Sequence, residues 1–504
     1  MDTKALRQKI LDLAIRGKLV PQDPNDEPAS VLLERIRAEK QQMVKDGKLK
    51  PKDIKNDTVI FKDDDNLHYE KFSGGTVKCI EDEIPFDVPN NWEWVRIKTA
   101  CVINPRNSID DNTEVSFVPM ANIKEGYANK FISDIRVWKK VKKGYTHFAN
   151  NDIGIAKITP CFENKKSVVF SSLINGYGAG TTELYILRTI SSLVIPEYLL
   201  NFVKRDDFIA GGVLTFSGDV GQQRVTKDYV ANYLFTLPPL NEQQRILNAV
   251  HTATSLIESI EKANDNLIRD IDKTKAKILD LAIRGKLVPQ DSNDEPASVL
   301  LERIRAEKEE LIKQGKIKRD KKESVIFKGD DNSYYQDLPE TWELVNFKDC
   351  ATLISGRDLN KNEYNAESIG IPYITGASNF INENILINRW TTVPKIVSEV
   401  NDILITCKGT VGELAINKYG NIHIARQIMA IRIYKNINLE YIKFFLESIV
   451  MEIKKTANGL IPGISRDDIL SLNIPLPPLA EQKRIVDEIE KIFATLDDIA
   501  NQVA

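Results

Sequence analysis

An internal duplication constrains the fold of this chain more than any other feature of its sequence. The segment KILDLAIRGKLVPQDPNDEPASVLLERIRAEK runs from Lys9 to Lys40, and it returns from Lys277 to Lys308 with one difference, Pro24 against Ser292. A long segment repeated within one chain is the signature of a structural unit that is used more than once. We therefore expect two copies of one architectural plan.

Three shorter landmarks recur in the same order in each copy. VIFK, PxxWE and LPPL begin at Val59, Pro89 and Leu237 in the first copy and at Val325, Pro339 and Leu476 in the second. The residues between PxxWE and LPPL differ widely, which predicts a constant scaffold carrying two variable domains. The predicted segments are N-terminal conserved helices and a linker (1–83), a first variable domain (84–240), a central conserved helix and linker (241–337), a second variable domain (338–479) and a C-terminal conserved helix (480–504).

The conserved segment after LPPL has coiled-coil spacing. Positions that step by four and three in alternation, apolar except at Asn264 and Thr274, lie along one stripe of a helix. The stripe comprises Ile246, Val250, Ala253, Ile257, Ile260, Asn264, Leu267, Ile271, Thr274, Ile278 and Leu281. The equivalent positions in the two terminal segments are Leu6, Ile10, Leu13, Ile485, Ile489, Ile492, Leu496, Ile499 and Val503.

The two chain ends correspond to nearby residues of the central segment. In the register of the repeat, Ala504 corresponds to Asp265 and Met1 to Arg269. A long central helix can therefore pair antiparallel with a composite helix made of both chain ends. The predicted fold class is α+β, with two α+β domains joined by long antiparallel coiled-coil helices in pseudo-twofold symmetry. Gly17 and Gly285 are the predicted helix ends.

The variable domains have strand signals first and helical patterns later. Short apolar runs bounded by turn residues predict strands. They lie at 116–119, 153–158, 184–188, 371–374, 403–406 and 430–434, and helical patterns follow at 196–209 and 439–454. Shared turns, such as Asn151-Asp152-Ile153 and Asn401-Asp402-Ile403, predict that both domains have the same fold. The charged stretches 46–75 and 314–337 are predicted to be extended linkers.

Composition excludes several classes of protein. A formal charge of −3 is unlike that of proteins that coat nucleic acid without specificity. Five cysteines without a CxxC pair favour reduced, buried thiols over a zinc site. The sequence MDTKALRQKI has no signal-peptide core, and no stretch has the roughly 20 apolar residues that span a bilayer. We expect a cytoplasmic protein that has no membrane partner.

The duplicated LPPLxEQxRI segments, the heptad helices and the two divergent domains together resemble the DNA specificity subunits of type I restriction-modification systems. The resemblance covers essentially the whole chain and includes NDILITCKGTVG from Asn401. It implies that each divergent domain is a target-recognition domain for one half of a bipartite, asymmetric double-stranded DNA site. It also implies that the helices dock two adenine methyltransferase (modification) subunits, and that restriction/translocase subunits join through the assembled complex.

The motifs of catalytic subunits are absent from the sequence. An adenine methyltransferase needs an Asn/Asp-Pro-Pro-aromatic loop, and a translocase needs a GxxxxGK[ST] phosphate loop. Neither occurs, since Asn104-Pro105-Arg106 lacks the second proline and the aromatic residue. We therefore expect a non-catalytic subunit without a cofactor or a metal.

A nuclease site is the alternative to a non-catalytic subunit. Asp152 followed by Glu163 and Lys165 has the residue types of some metal-dependent nuclease sites. The second domain keeps Asp402 but has Glu413-Leu414-Ala415 instead of Glu-x-Lys. The four histidines are scattered along the sequence, so a structural or surface role is favoured over a catalytic one.

Candidate DNA-contacting residues follow from charge and from polar loops. Phosphate contacts need lysine or arginine, whereas base edges are read by arginine, lysine, asparagine, glutamine, serine or threonine. In the first domain the candidates are Arg106, Asn107, Asn122, Lys139, Lys140, Lys142, Lys143, Lys157, Thr159, Gln222, Gln223 and Arg224. In the second they are Arg357, Lys361, Thr375, Ser378, Asn379, Lys408, Thr410, Arg426, Gln427 and Arg466.

Other interpretations remain open from the sequence. The basic run 139–143 is equally compatible with a solvated charged surface. The chain is also compatible with the specificity subunit of another multisubunit restriction enzyme, and the near-neutral net charge favours a coiled-coil protein-interaction scaffold to a small degree.

Overall fold

The structure, a computed structural model, describes residues 2–219, 221–317, 319, 338–381, 384–456 and 463–503, with the backbone alone at Asp53 and at 452–456. The chain forms two compact units, Met1–Lys262 and Ala263–Ala504. Each is described by itself. No helix among the described residues is long and apolar enough to cross a bilayer.

Helices occupy both the repeated and the variable segments. The α-helices are α1 (Thr3–Ile15), α2 (Ala29–Lys45), α3 (Pro51–Ile54), α4 (Ile97–Ala100), α5 (Trp138–Val141), α6 (Pro196–Val203), α7 (Asp206–Val213), α8 (Lys227–Asn232), α9 (Leu240–Ile283), α10 (Ala297–Lys313), α11 (Phe347–Cys350), α12 (Leu439–Thr456), α13 (Arg466–Leu470) and α14 (Leu479–Val503).

The first unit contains four sheets within its described residues. Its strands are β1 (Thr58–Lys62), β2 (His68–Phe72), β3 (Val77–Cys79), β4 (Glu93–Arg96), β5 (Cys101–Ile103), β6 (Glu114–Val118), β7 (Asp134–Val137), β8 (Thr146–Ala149), β9 (Ile153–Ala156), β10 (Ser167–Val169), β11 (Tyr177–Gly180), β12 (Leu184–Thr189) and β13 (Leu234–Leu237). Their orders are β1-β2-β3, β10-β9-β12-β5, β7-β6-β11-β8 and β13-β4.

The second unit repeats the topology of the variable domain. Its strands are β14 (Glu343–Asn346), β15 (Ala351–Ser355), β16 (Ile371–Ile374), β17 (Phe380–Ile381), β18 (Asn384–Ile385), β19 (Trp390–Thr391), β20 (Val397–Ser398), β21 (Ile403–Thr406), β22 (Leu414–Ile416), β23 (Ile422–Ile424), β24 (Ile428–Ile433) and β25 (Asn473–Leu476). The orders β15-β24-β21-β22, β19-β16-β23-β20 and β14-β25 match those of the first unit strand for strand. The prediction of one α+β fold used twice is therefore confirmed.

Strand pairing also has the same register in both domains. Asp152 and Asp402 each precede the strand that pairs with the last strand of its sheet, and Ala156 faces Leu184 as Thr406 faces Ile428. In each domain one sheet contains a parallel pair, β6 with β11 and β16 with β23. The two domains can thus be compared residue by residue.

The long central helix was predicted correctly. Helix α9 has 44 residues, which corresponds to about 66 Å at 1.5 Å per residue. It ends near Gly285 as α1 ends near Gly17, and both glycines have left-handed backbones (φ +64° and +65°). In both copies the residue after the glycine donates to the carbonyl five residues back, Leu281 or Leu13, at 2.9 Å, which closes the helix end.

Helix pairing within each unit runs antiparallel to α9. In the first unit Arg7 forms a 2.9 Å ion pair with Glu261, while Leu11 and Ile15 pack in one core with Ile246 and Val250. In the second unit the amide Nδ2 of Asn264 donates to Val503 O (3.0 Å), and Lys275 contacts Asp497. Higher numbers on α9 meet lower numbers on α14, as an antiparallel pair requires.

The predicted stripe is buried over only part of its length. Ile246, Val250, Ile257, Ile271 and Ile278 are buried. Leu267 and Thr274, in contrast, are exposed, as are Leu6 and Ile499 on the terminal helices. Burial therefore varies along the stripe, because heptad spacing identifies a stripe but not what covers it.

The prediction of an extended linker at 46–75 is wrong. This stretch contains α3, β1 and β2, and β1, β2 and β3 form an antiparallel meander. Its inner face buries Ile60 and Ile80 against Trp94, and Glu70 makes a buried ion pair with Arg96 at 2.6 Å. The charged composition masked this structure, since alternate residues face solvent. Most of the second predicted linker, 314–337, lies outside the described residues.

Identical contacts join the repeated segments to both domains. Trp92 Nε1 donates to Glu242 Oε2 and Trp342 Nε1 to Glu481 Oε2, each at 2.9 Å. The glutamine amides of Gln22 and Gln290 donate to the other oxygen of the same carboxylates. These contacts connect the PxxWE and LPPLxEQ motifs, and explain why both motifs recur.

Candidate nucleic-acid interfaces

A buried ion pair anchors the central strands of each variable domain. Arg188 donates to both carboxylate oxygens of Asp152 (2.8 and 2.7 Å), and Arg432 donates to both oxygens of Asp402 (2.9 Å each). Each carboxylate also accepts a backbone N–H three residues upstream. Burial raises the pKa of Asp152, and Arg188 opposes that rise. This aspartate is therefore part of the domain architecture.

The nuclease constellation weighed in the sequence does not assemble. Glu163 accepts a hydrogen bond from Thr159, while the ammonium of Lys165 contacts Asp206 and the hydroxyl of Tyr127. Asp152 is held by Arg188 instead. Among the described residues no group of three or more His, Cys, Asp or Glu side chains could hold a metal ion.

The first domain has a polar pocket of about 280 Å³ at the ends of its central strands. It is lined by Asn104, Pro105, Arg106, Gly144, Tyr145, Thr146, His147, Lys157, Thr182 and Leu184. Arg106 reaches Tyr145 O (3.2 Å) and His147 Nε2 (3.4 Å) and stays exposed. Lys157 lies 5.5 Å from the centre of the Tyr185 ring. Two candidates that are 51 positions apart in sequence thus meet at one concave surface.

His147 lies beneath this pocket and is buried. Burial lowers its pKa below the ordinary 6.5, and the nearby Arg106 lowers it further. The second domain has a buried histidine on the neighbouring strand, since His423 lies on β23, the counterpart of β11, which pairs with β8. There His423 is fully buried, contacts Ile396 O and Arg357 O, and also has a pKa lowered by burial.

The basic run forms an exposed edge of the same domain. Lys139, Lys140 and Lys143 are exposed, whereas Lys142 is half-buried and pairs with Asp111 at 2.7 Å. The run surrounds helix α5, whose Trp138 and Val141 face the core. Three of the four predicted lysines are therefore available to a phosphate backbone.

The other first-domain candidates differ in whether their side chains already make hydrogen bonds within the protein. Asn107 donates to Phe148 O and accepts from Arg188, so both ends of its amide hold the domain together. Thr159 is bonded to Glu163. Gln222 and Gln223 lie on the turn before Arg224, and Asn122 ends a short 3-10 turn, half-buried. Asn107 and Thr159 are thus better explained as structural residues.

In the second domain the basic candidates are dispersed. Arg357, Lys361 and Lys408 are exposed. Arg426 is also exposed and pairs with Asp358 at 2.8 Å. Arg466 donates to the backbone carbonyl of Leu353.

One predicted base reader is placed where it cannot contact DNA. Asn379 is fully buried, and its amide accepts from Thr375 N and donates to Leu386 O (2.8 Å). Its prediction as a reader is therefore wrong in this structure, because an internal loop anchor and a surface reader have the same polar sequence. Thr375 is bonded to the same Asn379, whereas Ser378, Thr410 and Gln427 are exposed.

Sequence reasoning missed Glu183. This residue directly precedes β12 and accepts a bidentate ion pair from Arg224 at 2.8 and 2.9 Å. The pairing lowers the pKa of the carboxyl. Aligning the last strands of the two domains would have placed Glu183 opposite Gln427, which was identified as a candidate.

A family model described as "Type I restriction modification DNA specificity domain" matches residues 89–269 and 339–503, one segment in each unit. The chain belongs to this family. The family prediction made from the repeated segments is thereby confirmed.

Full-length relatives agree with the assignment. The specificity subunit of the type I restriction enzyme EcoAI of Escherichia coli is 33% identical, over 98% of this chain and 90% of that protein. The EcoEI specificity subunit of Escherichia coli is 34% identical, over 99% of this chain and 90% of that protein. Both alignments span nearly the whole of this chain.

A solved structure shares the fold. It comes from work on complex assembly and conformational transition of the type I R-M system, and its chain superposes with a TM-score of 0.60 at 20% identity. The match covers 83% of this chain and 94% of the other. At that identity the likeness concerns the fold alone, and it agrees with the predicted fold class.

Proposed function

We propose that this chain reads an interrupted, asymmetric double-stranded DNA site for a type I restriction-modification complex. Each variable domain, 84–240 and 338–479, would act as a target-recognition domain for one half-site. The main support is that both domains have the same strand topology and make identical contacts with the repeated helices, while the surfaces around Arg106 and Gln427 differ. Constant geometry with different polar surfaces suits two different half-sites.

The helices of the repeat would dock two adenine methyltransferase subunits, with restriction/translocase subunits joining through the assembled complex. Identity between the copies extends to exposed side chains such as Arg35 and Arg303, each paired with a glutamate eight residues earlier. Exposed identity is not required by the fold, so it supports two equivalent partner surfaces. The chain itself would contribute binding and no catalytic group, because Asp152 and Asp402 are committed to structural ion pairs with Arg188 and Arg432.

Phosphate contacts would come from exposed cations on both domains. In the first domain these are Arg106, Lys139, Lys140 and Lys143, together with the half-buried Lys157 of the pocket; in the second they are Arg357, Lys361, Lys408, Arg426 and Arg466. Lys142 is a weaker candidate because Asp111 already neutralises it. Such contacts position the protein and make affinity depend on salt, whereas base contacts set the sequence.

The test is an exchange of one domain. Residues 84–240 are replaced by the first variable domain of a relative with a different motif, and the methylation motif is read from cells that also produce the partner subunits. We expect one half of the motif to change and the other to persist. A matched exchange of 338–479 should alter the opposite half. A motif that changes in both halves or in neither after a single exchange would contradict the proposal.

A further inference from the structure

A turn at the end of the central sheet occupies the same place in both variable domains. Lys157 N donates to Glu183 O (3.0 Å), and Cys407 N donates to Gln427 O (2.8 Å). The carbonyls of Lys157 and Cys407 in turn accept from Val225 N (2.9 Å) and Ile464 N (3.0 Å). These matching bonds make Glu183 equivalent to Gln427.

The same bonds align the residue that faces this turn. Arg224 directly precedes Val225, and Gly463 directly precedes Ile464. An acid and an arginine in the first domain are thus replaced together by a glutamine and a glycine in the second. Such a paired exchange, within a backbone that does not change, points to a difference in what the turn contacts.

In the first domain the pair fixes an arginine fork. Arg224 uses Nε and one terminal nitrogen on Glu183, and its other terminal nitrogen donates to Gln222 O at 2.8 Å. A guanidinium has five N–H groups, so these three bonds leave one N–H on each terminal nitrogen. The Arg224 side chain is 37% exposed. A held and accessible fork of this kind fits O6 and N7 of guanine.

In the second domain the same position has an exposed amide. The side chain of Gln427 lies over Gly376, because a Cβ added to Gly376 would come within 2.3 Å of Oε1 of Gln427. Glutamine offers one acceptor and a donor pair, which match N6 and N7 of adenine. Gly376 has an extended backbone (φ 171°), which any residue can adopt. Glycine is therefore needed here for the space that the Gln427 side chain occupies, and not for the backbone conformation.

Cationic side chains border the turn in both domains, with Lys157 half-buried in the first and Lys408 and Arg426 exposed in the second. Lys157 and Thr182 line the pocket beside Glu183, and Arg426 and Lys408 are exposed beside Gln427. Cations of this kind hold a phosphate backbone and bring base edges to nearby readers. The turn therefore lies where a base edge would be presented.

We propose that this turn determines specificity in each domain: Arg224, held by Glu183, reads a guanine in one half-site, and Gln427, seated over Gly376, reads an adenine in the other. The inference deepens the proposed function and rests on it. Glu183 and Gly376 act through their neighbours and are positioning residues.

The experiment uses the full chain assembled with its partner subunits, and its probe is a library of randomised duplex DNA. Gln427→Ala should lower the preference for adenine by about 5- to 100-fold at one base pair of one half-site. Gly376→Ala should lower the preference at that same base pair, because its methyl group displaces the Gln427 amide. Arg224→Lys should lower a guanine preference in the opposite half-site, and Glu183→Gln should do so to a smaller extent.

Lys140→Gln is the matched control for a phosphate contact, since it should weaken binding equally on all sequences. If the wild-type complex selects no motif, the proposed function fails. If the wild type selects a bipartite motif but Gln427→Ala keeps every base preference, the inference is overturned. Uniform weakening by Gln427→Ala or Arg224→Lys would also overturn it, because it would identify a backbone contact.

Discussion

The indole Nε1 of Trp342 donates a 2.9 Å hydrogen bond to Glu481 Oε2 in the second unit, and Trp92 makes the same 2.9 Å bond to Glu242 in the first. In both units the tryptophan lies near the start of the variable domain and the glutamate lies just after its end. The bond therefore closes the domain at its junction with the repeated helices. Both glutamates are almost fully buried, and burial raises the pKa of each.

Glu481→Ala should destabilise the second unit by about 1–3 kcal/mol, because it leaves a buried indole N–H without an acceptor and removes one of the two acceptors of the Gln290 amide. Glu490→Ala, at an exposed position of the same helix, is the control. Chemical denaturation of both variants measures the difference. Equal free energies of unfolding for the two variants would show that the junction contributes nothing.

Gly285→Ala should destabilise the chain by more than the roughly 1–2 kcal/mol that a left-handed backbone costs a residue with a Cβ. The added methyl group would lie 2.4 Å from Cγ of Pro339. Gly315→Ala isolates the backbone cost, since Gly315 has a similar φ (+71°) and open space around it. If both variants lose the same stability, the contact with Pro339 is not tight in solution.

Asp152→Asn should lower stability by about 1–3 kcal/mol, because it weakens a buried pair with Arg188. The expected loss of stability is smaller than that for a fully buried ion pair, since the Arg188 side chain is 31% exposed. Thermal or chemical unfolding measures the loss.

Supercoiled plasmid incubated with Mg²⁺ should stay intact in the presence of the wild-type protein, and Glu163→Gln should not change this result. Cleavage by the wild type that disappears in both variants would support the nuclease interpretation instead.

Stability of the variable domains should fall as the pH drops below 6.5. The pKa values of His147 and His423 are lowered in the folded chain by burial. The unfolded chain therefore binds protons near 6.5 that the folded chain does not, so this contribution is complete above 6.5 and is lost toward the lower folded values. Melting temperatures between pH 7.5 and 5.5 should fall less in His147→Asn/His423→Asn than in the wild type. His251→Asn, at an exposed position, is the control; equal pH dependence in all three proteins would refute the prediction.

Replacing Lys139, Lys140 and Lys143 by glutamine should make DNA binding less sensitive to salt. Each phosphate contact that is lost lowers the slope of log affinity against log salt by about 0.9. Titrations of the assembled complex on duplex DNA at several salt concentrations measure the slope. A variant with glutamine at Lys48, Lys52 and Lys71, exposed lysines outside the variable domain, should keep it. An unchanged slope in the first variant would show that the run faces solvent.

The sequence was sufficient to predict the duplication, the long helix, the ends of α1 and α9 and several strands of the variable domains. Periodicity and repeated motifs depend on neighbours along the chain, so they are visible without a structure. Ile371–Ile374 and Ile403–Thr406 were predicted at the residues where the strands occur. The meander of β1, β2 and β3 was missed because its core comes from Trp94, which lies outside the charged stretch.

The candidate site depended on tertiary structure to a much greater degree. Asn379 and Gln427 are both polar residues in loops, yet one is fully buried and the other exposed, since burial is decided by packing between distant segments. Glu183 gains its role only from Arg224, which lies 41 positions later and is brought to it by strand pairing and the bond from Val225 to Lys157. The sequence alone determined that one fold is built twice; only the tertiary structure decided which side chains each copy presents, because that choice arises from long-range contacts.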